Sequence, residues 1–178
     1  MIRAIAALAL AVAPAHAATS SSSETLNSTA PWWEKVTVTI TGDGQPQGCR
    51  FESSSGTASA KDCEVVGSQA GTGASSGSKD QYTRITFERR FSPDATRDLL
   101  EVGAGDTLLG RQVMALAIDG NGAVKDCKVV VRSGDMTPEY GCKEAVAEKF
   151  EASARSGDAS LKAGFMTILV YGHAEHVV

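Results

Sequence analysis

Histidine is scarce in this chain of 178 residues, and its scarcity limits the chemistry that the sequence can support. The chain has 3 histidines: His16 lies near the N-terminus, and His173 and His176 lie at the C-terminal end. A serine or cysteine nucleophile therefore has no general base to use except at that end. With Glu175 the last two histidines form a weak metal-binding pattern, which a solvated tail explains better. The sequence predicts a protein that is not an enzyme and needs no cofactor.

Long apolar runs and an excess of positive charge are also missing. No segment offers the roughly 20 apolar residues that a membrane-spanning helix requires. With 17 basic and 21 acidic residues the formal charge is −4, which gives no reason to expect binding to nucleic acid or to an anionic membrane surface. None of the 4 cysteines forms a C-x-x-C motif, so neither a zinc knuckle nor a thioredoxin-type redox pair is indicated.

The first 17 residues have the layout of a secretory signal peptide. Arg3 precedes an apolar run at 5–13, and the small-x-small motif Ala-His-Ala follows at 15–17. The run is too short to span a bilayer, so we expect cleavage after it and export of the mature chain. Retention of the segment as a membrane anchor is the alternative. Residues 18–30 are rich in serine and threonine and are expected to be disordered.

The remainder contains two divergent copies of one motif. In each copy an alternating strand ends in a Gly-x-Gly turn, and a second strand then carries a cysteine and ends at Ser-Gly. Five matched pairs are each separated by 78 residues: Gly42 and Gly120, Gly44 and Gly122, Cys49 and Cys127, Ser55 and Ser133, Gly56 and Gly134. Cys63 matches Cys142 after a one-residue insertion. This common register indicates an internal duplication, with units at 31–91 and 105–178.

Each unit is expected to combine a small antiparallel sheet with one or two helices, so the predicted fold class is α+β. Thr137 as N-cap and Pro138 as the first helical residue predict a helix over about 138–155. Two further helices are predicted at 61–66 and 92–104. The closing strands of the two units are predicted at 82–88 and 165–171. In the strand at 82–88 the alternation predicts that Ile85 and Phe87 are buried and that Arg84, Thr86 and Glu88 are exposed.

An even number of cysteines in an exported protein predicts disulfides, and four cysteines allow three pairings. Pairing within each unit, Cys49 with Cys63 and Cys127 with Cys142, is favoured because it joins a strand cysteine to a helix-start cysteine in the same frame. Each such bond closes a loop of about 15 residues and stabilises the fold by about 3 kcal/mol in the loop-entropy description.

The second unit contains a strand and turn at 113–129 with the pattern D-x-x-G-x-V, then Ser133-Gly134, a helix that reaches Phe150, and the final strand. In this order of elements the unit, over about 105–172, resembles the C-terminal domain of TonB, the periplasmic part of an energy transducer. The resemblance implies that the exported protein lies in the periplasm. The paired cysteines are similar to a variant common in alphaproteobacterial members. The chain departs from the family in lacking a long proline-rich spacer and the aromatic-x-Pro motif after the helix.

The resemblance implies a three-stranded sheet whose open edge binds an extended segment of an envelope protein, such as an outer-membrane transporter. The final strand is the expected edge, and Trp32 or Trp33 is a second candidate contact, the other indole belonging to the core. The candidate edge residues are Phe165, Thr167, Leu169 and Tyr171. In the alternative arrangement the two units pair with each other and cover that edge. Homodimerisation through edges, energy transduction with a retained anchor, and a thiol redox protein or envelope enzyme are further alternatives.

Overall fold

The computed structural model describes residues 25–42, 44–54, 61–62, 82–93, 102–152 and 160–174. Within these residues the chain forms one sheet, in which every pair of neighbouring strands is antiparallel, and one short helix. The elements are β1 (Trp32–Ile40), β2 (Pro46–Ser53), β3 (Lys61–Asp62), β4 (Arg84–Pro93), β5 (Asp106–Ile118), β6 (Val124–Gly134), α1 (Cys142–Ala147) and β7 (Lys162–His173). Across the sheet the strand order is β3-β2-β1-β4-β7-β5-β6.

The prediction of an α+β fold with one or two helices in each unit is wrong. The helix expected over 138–155 is reduced to α1, because Gly141 takes the N-cap position and the backbone turns extended at Glu148. The next residues bond to other segments: the Lys149 carbonyl accepts from Leu26, and Phe150 donates to the Gly122 carbonyl. These tertiary hydrogen bonds use the backbone groups that a longer helix would have paired internally.

Two other predicted helices are also wrong where the structure describes them. β3 occupies the start of 61–66, and β4 extends to Pro93 at the start of 92–104. Residues 102–104, at the end of the second segment, are described and are not helical. The remaining residues of both segments lie outside the described residues, as does the signal segment. Residues 25–30 are ordered, contrary to the expected disorder, because Leu26 is buried and bridges to Phe150.

The pairing of strands repeats the sequence offset. Val36 pairs with Phe51 in the first unit, and Met114 pairs with Val129 in the second, each 78 residues later. In both hairpins the pairing register also shifts just before the last residue of the first strand, between Thr39 and Ile40 and between Ala117 and Ile118. The side chains at equivalent positions therefore point to the same face of the continuous sheet.

The closing strands of the two units, β4 and β7, pair with each other in the middle of the sheet. Val36 pairs with Phe87 and its equivalent Met114 pairs with Met166, so equivalent residues of these strands are 79 apart. Arg89 therefore pairs directly with its own counterpart, Ile168. An approximate two-fold axis therefore passes through this pair. Because β7 also pairs with β5, it is an interior strand and not the edge that we expected from the sequence. The arrangement is the alternative given above, in which the two units pair with each other and cover the expected edge strand.

The main core lies on one face of the sheet, which we call the core face. Phe91 is 1% exposed there, with its ring centroid 5.8 Å from Trp32 and 5.0 Å from Phe150. Since Phe91 belongs to the first unit and Phe150 to the second, the cluster is shared. Its buried members are Leu26, Trp32, Phe91, Met114, Leu116, Ile118, Val124, Ala145, Phe150, Met166 and Ile168.

The disulfide between Cys127 and Cys142 is confirmed and ties β6 to α1 over the core face. Cys49 is also disulfide-bonded, and Cys63, its predicted partner, lies outside the described residues. None of the described helical residues belongs to a helix long and apolar enough to cross a membrane.

Asp119 fixes the turn between β5 and β6. Its Oδ1 accepts hydrogen bonds from the N–H groups of Asn121 and Ala123, both at 2.9 Å, and Lys125 Nζ lies 3.1 Å from its Oδ2. The hydrogen bond from Ala123, with those from Lys125 and Asn121, holds the pKa of Asp119 below its ordinary value of 3.8. The ionised carboxylate therefore stabilises the turn.

We expect Asp119→Ala to melt at a lower temperature than the unchanged protein at neutral pH. The contribution of the carboxylate is present above its unfolded-state pKa and is lost as pH falls through the lower pKa of the folded state. In thermal melts followed by circular dichroism, the Tm difference should stay constant between about pH 7 and pH 5 and shrink below about pH 4. A difference of unchanged size at about pH 2 would show that the charge has no part in it.

Candidate functional site

β6 is an outer strand of the sheet, and no described strand pairs with its outer side. The N–H of Cys127 donates to Asp126 Oδ1 at 2.9 Å, so this N–H is turned away from β5. Ladder hydrogen bonds alternate along an antiparallel strand, so the N–H and C=O of Val129 also point outward. The apolar side chains of Val130 and Val131 are 46% and 40% exposed beside this stretch. We call the segment from Asp126 to Val131 the β6 edge.

The β6 edge has features that restrict pairing as well as features that permit it. Relative to β5, extra residues at Lys125 and Val130 interrupt the register, which marks two bulges. Bulges and lysines are common on outer strands, where they limit pairing between sheets. Between the bulges the register is regular, so the open backbone is a short stretch around Lys128 and Val129.

The first unit shows what the same position accepts. There β3 pairs antiparallel with β2, with Asp62 opposite Arg50 and Lys61 opposite Phe51. Arg50 and Phe51 are the counterparts of Lys128 and Val129 at the 78-residue offset. The outer side of β2 is thus occupied at the two positions that β6 leaves unpaired among the described strands.

A second candidate is a cleft of about 500 Å³ on the first unit, lined by residues of β1 and β4, by Pro31 before β1 and by Ser54 after β2. We call it the charged cleft, because its walls include Lys35, Glu88 and Arg90. These side chains lie on the face opposite the core, since they alternate with Glu34, Arg89 and Phe91 along β1 and β4. Pro31, Trp33 and Ser54 are further wall residues.

Glu88 is 2% exposed and lies at the centre of this group. Its Oε1 accepts a 2.5 Å hydrogen bond from Arg90 Nε, and its Oε2 accepts one of 3.2 Å from the Tyr171 hydroxyl. Lys35 Nζ lies 3.8 Å from Oε2 and 4.7 Å from the ring centroid of Trp33. Burial, together with the neighbouring Glu88 carboxylate, raises the pKa of Tyr171, so its hydroxyl stays protonated and donates.

The predicted burial pattern of this strand is wrong at three positions. Thr86 and Glu88 are buried, whereas Phe87 is 40% exposed. The prediction assumed that one face of the strand is exposed to solvent. Because β4 lies inside the sheet, its neighbours β1 and β7 place Lys35 and Tyr171 over Glu88. The sequence signal that could have revealed the cluster is the pair of opposite charges at 88 and 90, which share one face of a strand.

Arg89 forms a third polar group, on the core face. Its guanidinium bonds to Glu34 at 2.6 Å and to Glu148, and it lies over the rings of Trp32 and Tyr140. Burial by itself lowers the pKa of Arg89, but the charges of Glu34, Tyr140 and Glu148 outweigh it and hold the pKa above its ordinary value. Because every partner belongs to β1 or to the α1 region, this group clamps the two units together, and we assign it to stability.

The remaining predicted site residues occupy structural positions. Thr167 and Leu169 are buried, Phe165 is half-buried, and Trp32 is a core residue that donates its Nε1–H to the Asn27 carbonyl. His173 lies in β7, not in a solvated tail, and its Nδ1 is 2.9 Å from Asp106 Oδ1. The described residues contain no group of three or more side chains that could hold a metal ion.

No protein-family model, curated protein or solved structure matches the chain. The resemblance to the TonB C-terminal domain therefore stays a prediction from the sequence. Among the described residues, the β6 edge and the charged cleft are the two candidate binding sites.

Proposed function

We propose that the protein is a binding module of the bacterial envelope that takes up an extended segment of a partner protein by strand addition at the β6 edge. The observation that carries this proposal is the pairing of β3 with the equivalent edge of the first unit. The two hairpins share one register where residues 36–39 pair with 48–51 and residues 114–117 pair with 126–129. Over this stretch, an edge that accepts a strand in one unit has the same outward hydrogen-bonding groups in the other.

The charges of β6 indicate which segment fits. Lys125, Lys128 and Arg132 outnumber the one acidic residue of the strand, Asp126, although the whole chain is acidic. An extended segment with acidic side chains would meet opposite charges across the new strand pair, and such pairs stabilise a sheet. Main-chain hydrogen bonds would supply the affinity.

Disulfides support the envelope as the location, because they persist in oxidising compartments. The thiol redox alternative requires a reactive thiol. Cys49, Cys127 and Cys142 do not supply one, because all three are disulfide-bonded. Energy transduction with a retained anchor remains an alternative, and N-terminal sequencing of the mature protein tests it directly. A mature chain that begins near Ala18 would exclude it.

The proposal predicts that a short acidic β-peptide binds along β6. The probe is a seven-residue peptide with capped ends, in which every second residue is valine and the residues between them are glutamate or threonine. Hydrogen exchange followed by NMR should show slower exchange of the Val129 amide when the peptide is added, because that N–H gains an acceptor. Exchange of amides that face β5 should stay unchanged. Protection spread evenly over the sheet, or none at β6, would contradict strand addition there.

Val129→Pro removes the outward donor and should abolish peptide binding, while an outer strand tolerates proline at such a position. Val129→Ala is the matched control, since it removes the same side chain and keeps the N–H. We expect the alanine variant to bind and the proline variant not to bind, with both folded by circular dichroism. If the unliganded protein sediments as a dimer and its Val129 amide is already protected, the occupant of the edge is a second copy of the chain.

A further inference from the structure

The β6 edge is regular over a short stretch. From Asp126 to Val129 each residue pairs with one residue of β5, and the register shifts on both sides of this stretch. An added strand continues the ladder most easily where the existing ladder is regular, because a bulge bends the strand and leaves a residue unpaired. A partner segment is therefore in regular register with Asp126, Cys127, Lys128 and Val129.

Two of these four side chains point away from the core. Cys127 and Val129 pack against the core cluster, so Asp126 and Lys128, which alternate with them, lie on the opposite face. Both are exposed, and within the described part of the chain neither takes part in an ion pair. A partner segment would thus meet one carboxylate and one ammonium group on this face, two residues apart.

The two charges lie where side chains of an added strand come closest. The backbone groups of Cys127 and Val129 point outward, so those of Asp126 and Lys128 point toward β5. Residues placed opposite Asp126 and Lys128 on an added antiparallel strand would form non-hydrogen-bonded pairs, in which the side chains are nearest to each other. Opposite charges stabilise such a pair and like charges destabilise it. The edge can therefore distinguish one order of charges in a partner from the reverse order.

The direction of the partner strand decides which order fits. Among the described strands every neighbouring pair is antiparallel, and antiparallel pairing is slightly the more stable. On the equivalent edge of the first unit, β3 runs antiparallel to β2 and places Asp62 opposite Arg50. Arg50 is the counterpart of Lys128 at the 78-residue offset. A segment in this direction passes Lys128 first and Asp126 two residues later.

Asp126 also gains from a basic residue opposite it. Its Oδ1 accepts a hydrogen bond from the N–H of Cys127 at 2.9 Å. Because this N–H points outward, a main-chain carbonyl of an added strand would take it over, and the carboxylate would lose its donor. A lysine or arginine opposite Asp126 would replace that hydrogen bond with a charge-assisted one.

We propose that the β6 edge binds its partner segment antiparallel and selects an acidic residue followed two positions later by a basic one. The acidic residue lies opposite Lys128 and the basic residue opposite Asp126. This inference rests on the proposed function and adds the direction of the segment and the order of its charges. Exchanging the two charges would place like charges opposite both residues, and the exchanged order would fit only a segment that runs parallel to β6.

Two peptides of identical composition test the order of charges. Both have seven residues and capped ends: the first is Thr-Val-Glu-Val-Lys-Val-Thr, and in the second glutamate and lysine are exchanged. NMR titration of the full protein gives the two dissociation constants, and slower exchange of the Val129 amide reports strand addition. We expect the first peptide to bind about tenfold more tightly, because two opposite-charge pairs replace two like-charge pairs. The difference should shrink at about 1 M salt, where exposed charges are screened.

The matched variant exchanges the two charges in the protein. D126K/K128D keeps the net charge and alters two exposed side chains, and it should prefer the second peptide. Arg50→Thr changes the counterpart position on β2, at the other side of the sheet, and should leave the preference for the first peptide unchanged.

The outcomes separate this inference from the proposed function. Equal binding of both peptides with a protected Val129 amide would overturn the selection by charge and leave strand addition intact. Tighter binding of the second peptide to the unchanged protein, or an unreversed preference in folded D126K/K128D, would also overturn it. If neither peptide protects Val129, strand addition at β6 is itself wrong and the inference falls with it.

Discussion

Replacing Phe91 with alanine is expected to destabilise both units together, by about 3–5 kcal/mol. The side chain is 1% exposed and contacts Trp32 of its own unit and Phe150 of the other. Its removal would leave a cavity between them that the paired strands β4 and β7 cannot close without breaking their register. The cost therefore includes the lost burial of the ring and the cavity that remains.

Urea unfolding followed by tryptophan fluorescence and by far-UV circular dichroism measures this effect. The fluorescence reports on the first unit, where both tryptophans lie, and the dichroism reports on the whole sheet. We expect the two transitions to coincide and to shift together in Phe91→Ala. Phe87→Ala is the matched control, four residues away on the same strand and face but 40% exposed, and it should cost less than about 1 kcal/mol. Separate transitions would show that the units fold independently.

Removing the disulfide between Cys127 and Cys142 is expected to cost about 3 kcal/mol in the double alanine variant. The bond joins residues 15 apart, and its loss increases the conformational entropy of the unfolded chain. It also frees α1, a helix of 6 residues that is too short to be stable by itself. Both cysteines contact the core cluster, so some packing is lost as well.

Chemical denaturation of the double variant against the oxidised parent gives the free energy of unfolding directly. The double variant is preferable to either single variant, which would leave one thiol free to form mixed disulfides. Helical circular dichroism should fall slightly while the sheet signal is retained. A loss below about 1 kcal/mol would mean that the core holds α1 in place without the covalent link.

The strands and turns could be predicted because their signals are local. Alternation marks Val36 to Ile40, glycines mark the turns, and the 78-residue register aligns the cysteines of the two units. The pairing of Cys127 with Cys142 followed from that register and is confirmed. Alternation within one strand divides its side chains between two faces but does not tell how deeply each face is buried, so Thr86 and Glu88 were expected to be exposed and are buried.

The long-range features could not be predicted, because no local pattern encodes which strand pairs with which. The pairing of β4 with β7 makes both strands interior, and this one contact buries Glu88 and hides the expected edge at Phe165 to Tyr171. The helix at 138–155 failed for a related reason. Its good helical pattern was outweighed by backbone hydrogen bonds from Leu26 to Lys149 and from Phe150 to Gly122.

The pairing of the two closing strands also determines stoichiometry. Two separate copies of one unit, joined through the same strands, would form a symmetric dimer with every surface present twice, and its population would depend on concentration. In the tandem chain the partner is always attached, so the two halves are free to differ. One half carries charged side chains where the other carries uncharged ones, and among the described strands the outer strand of one half is paired where that of the other half is not. If a partner segment binds at the β6 edge as proposed, its titration should therefore end at one equivalent per chain.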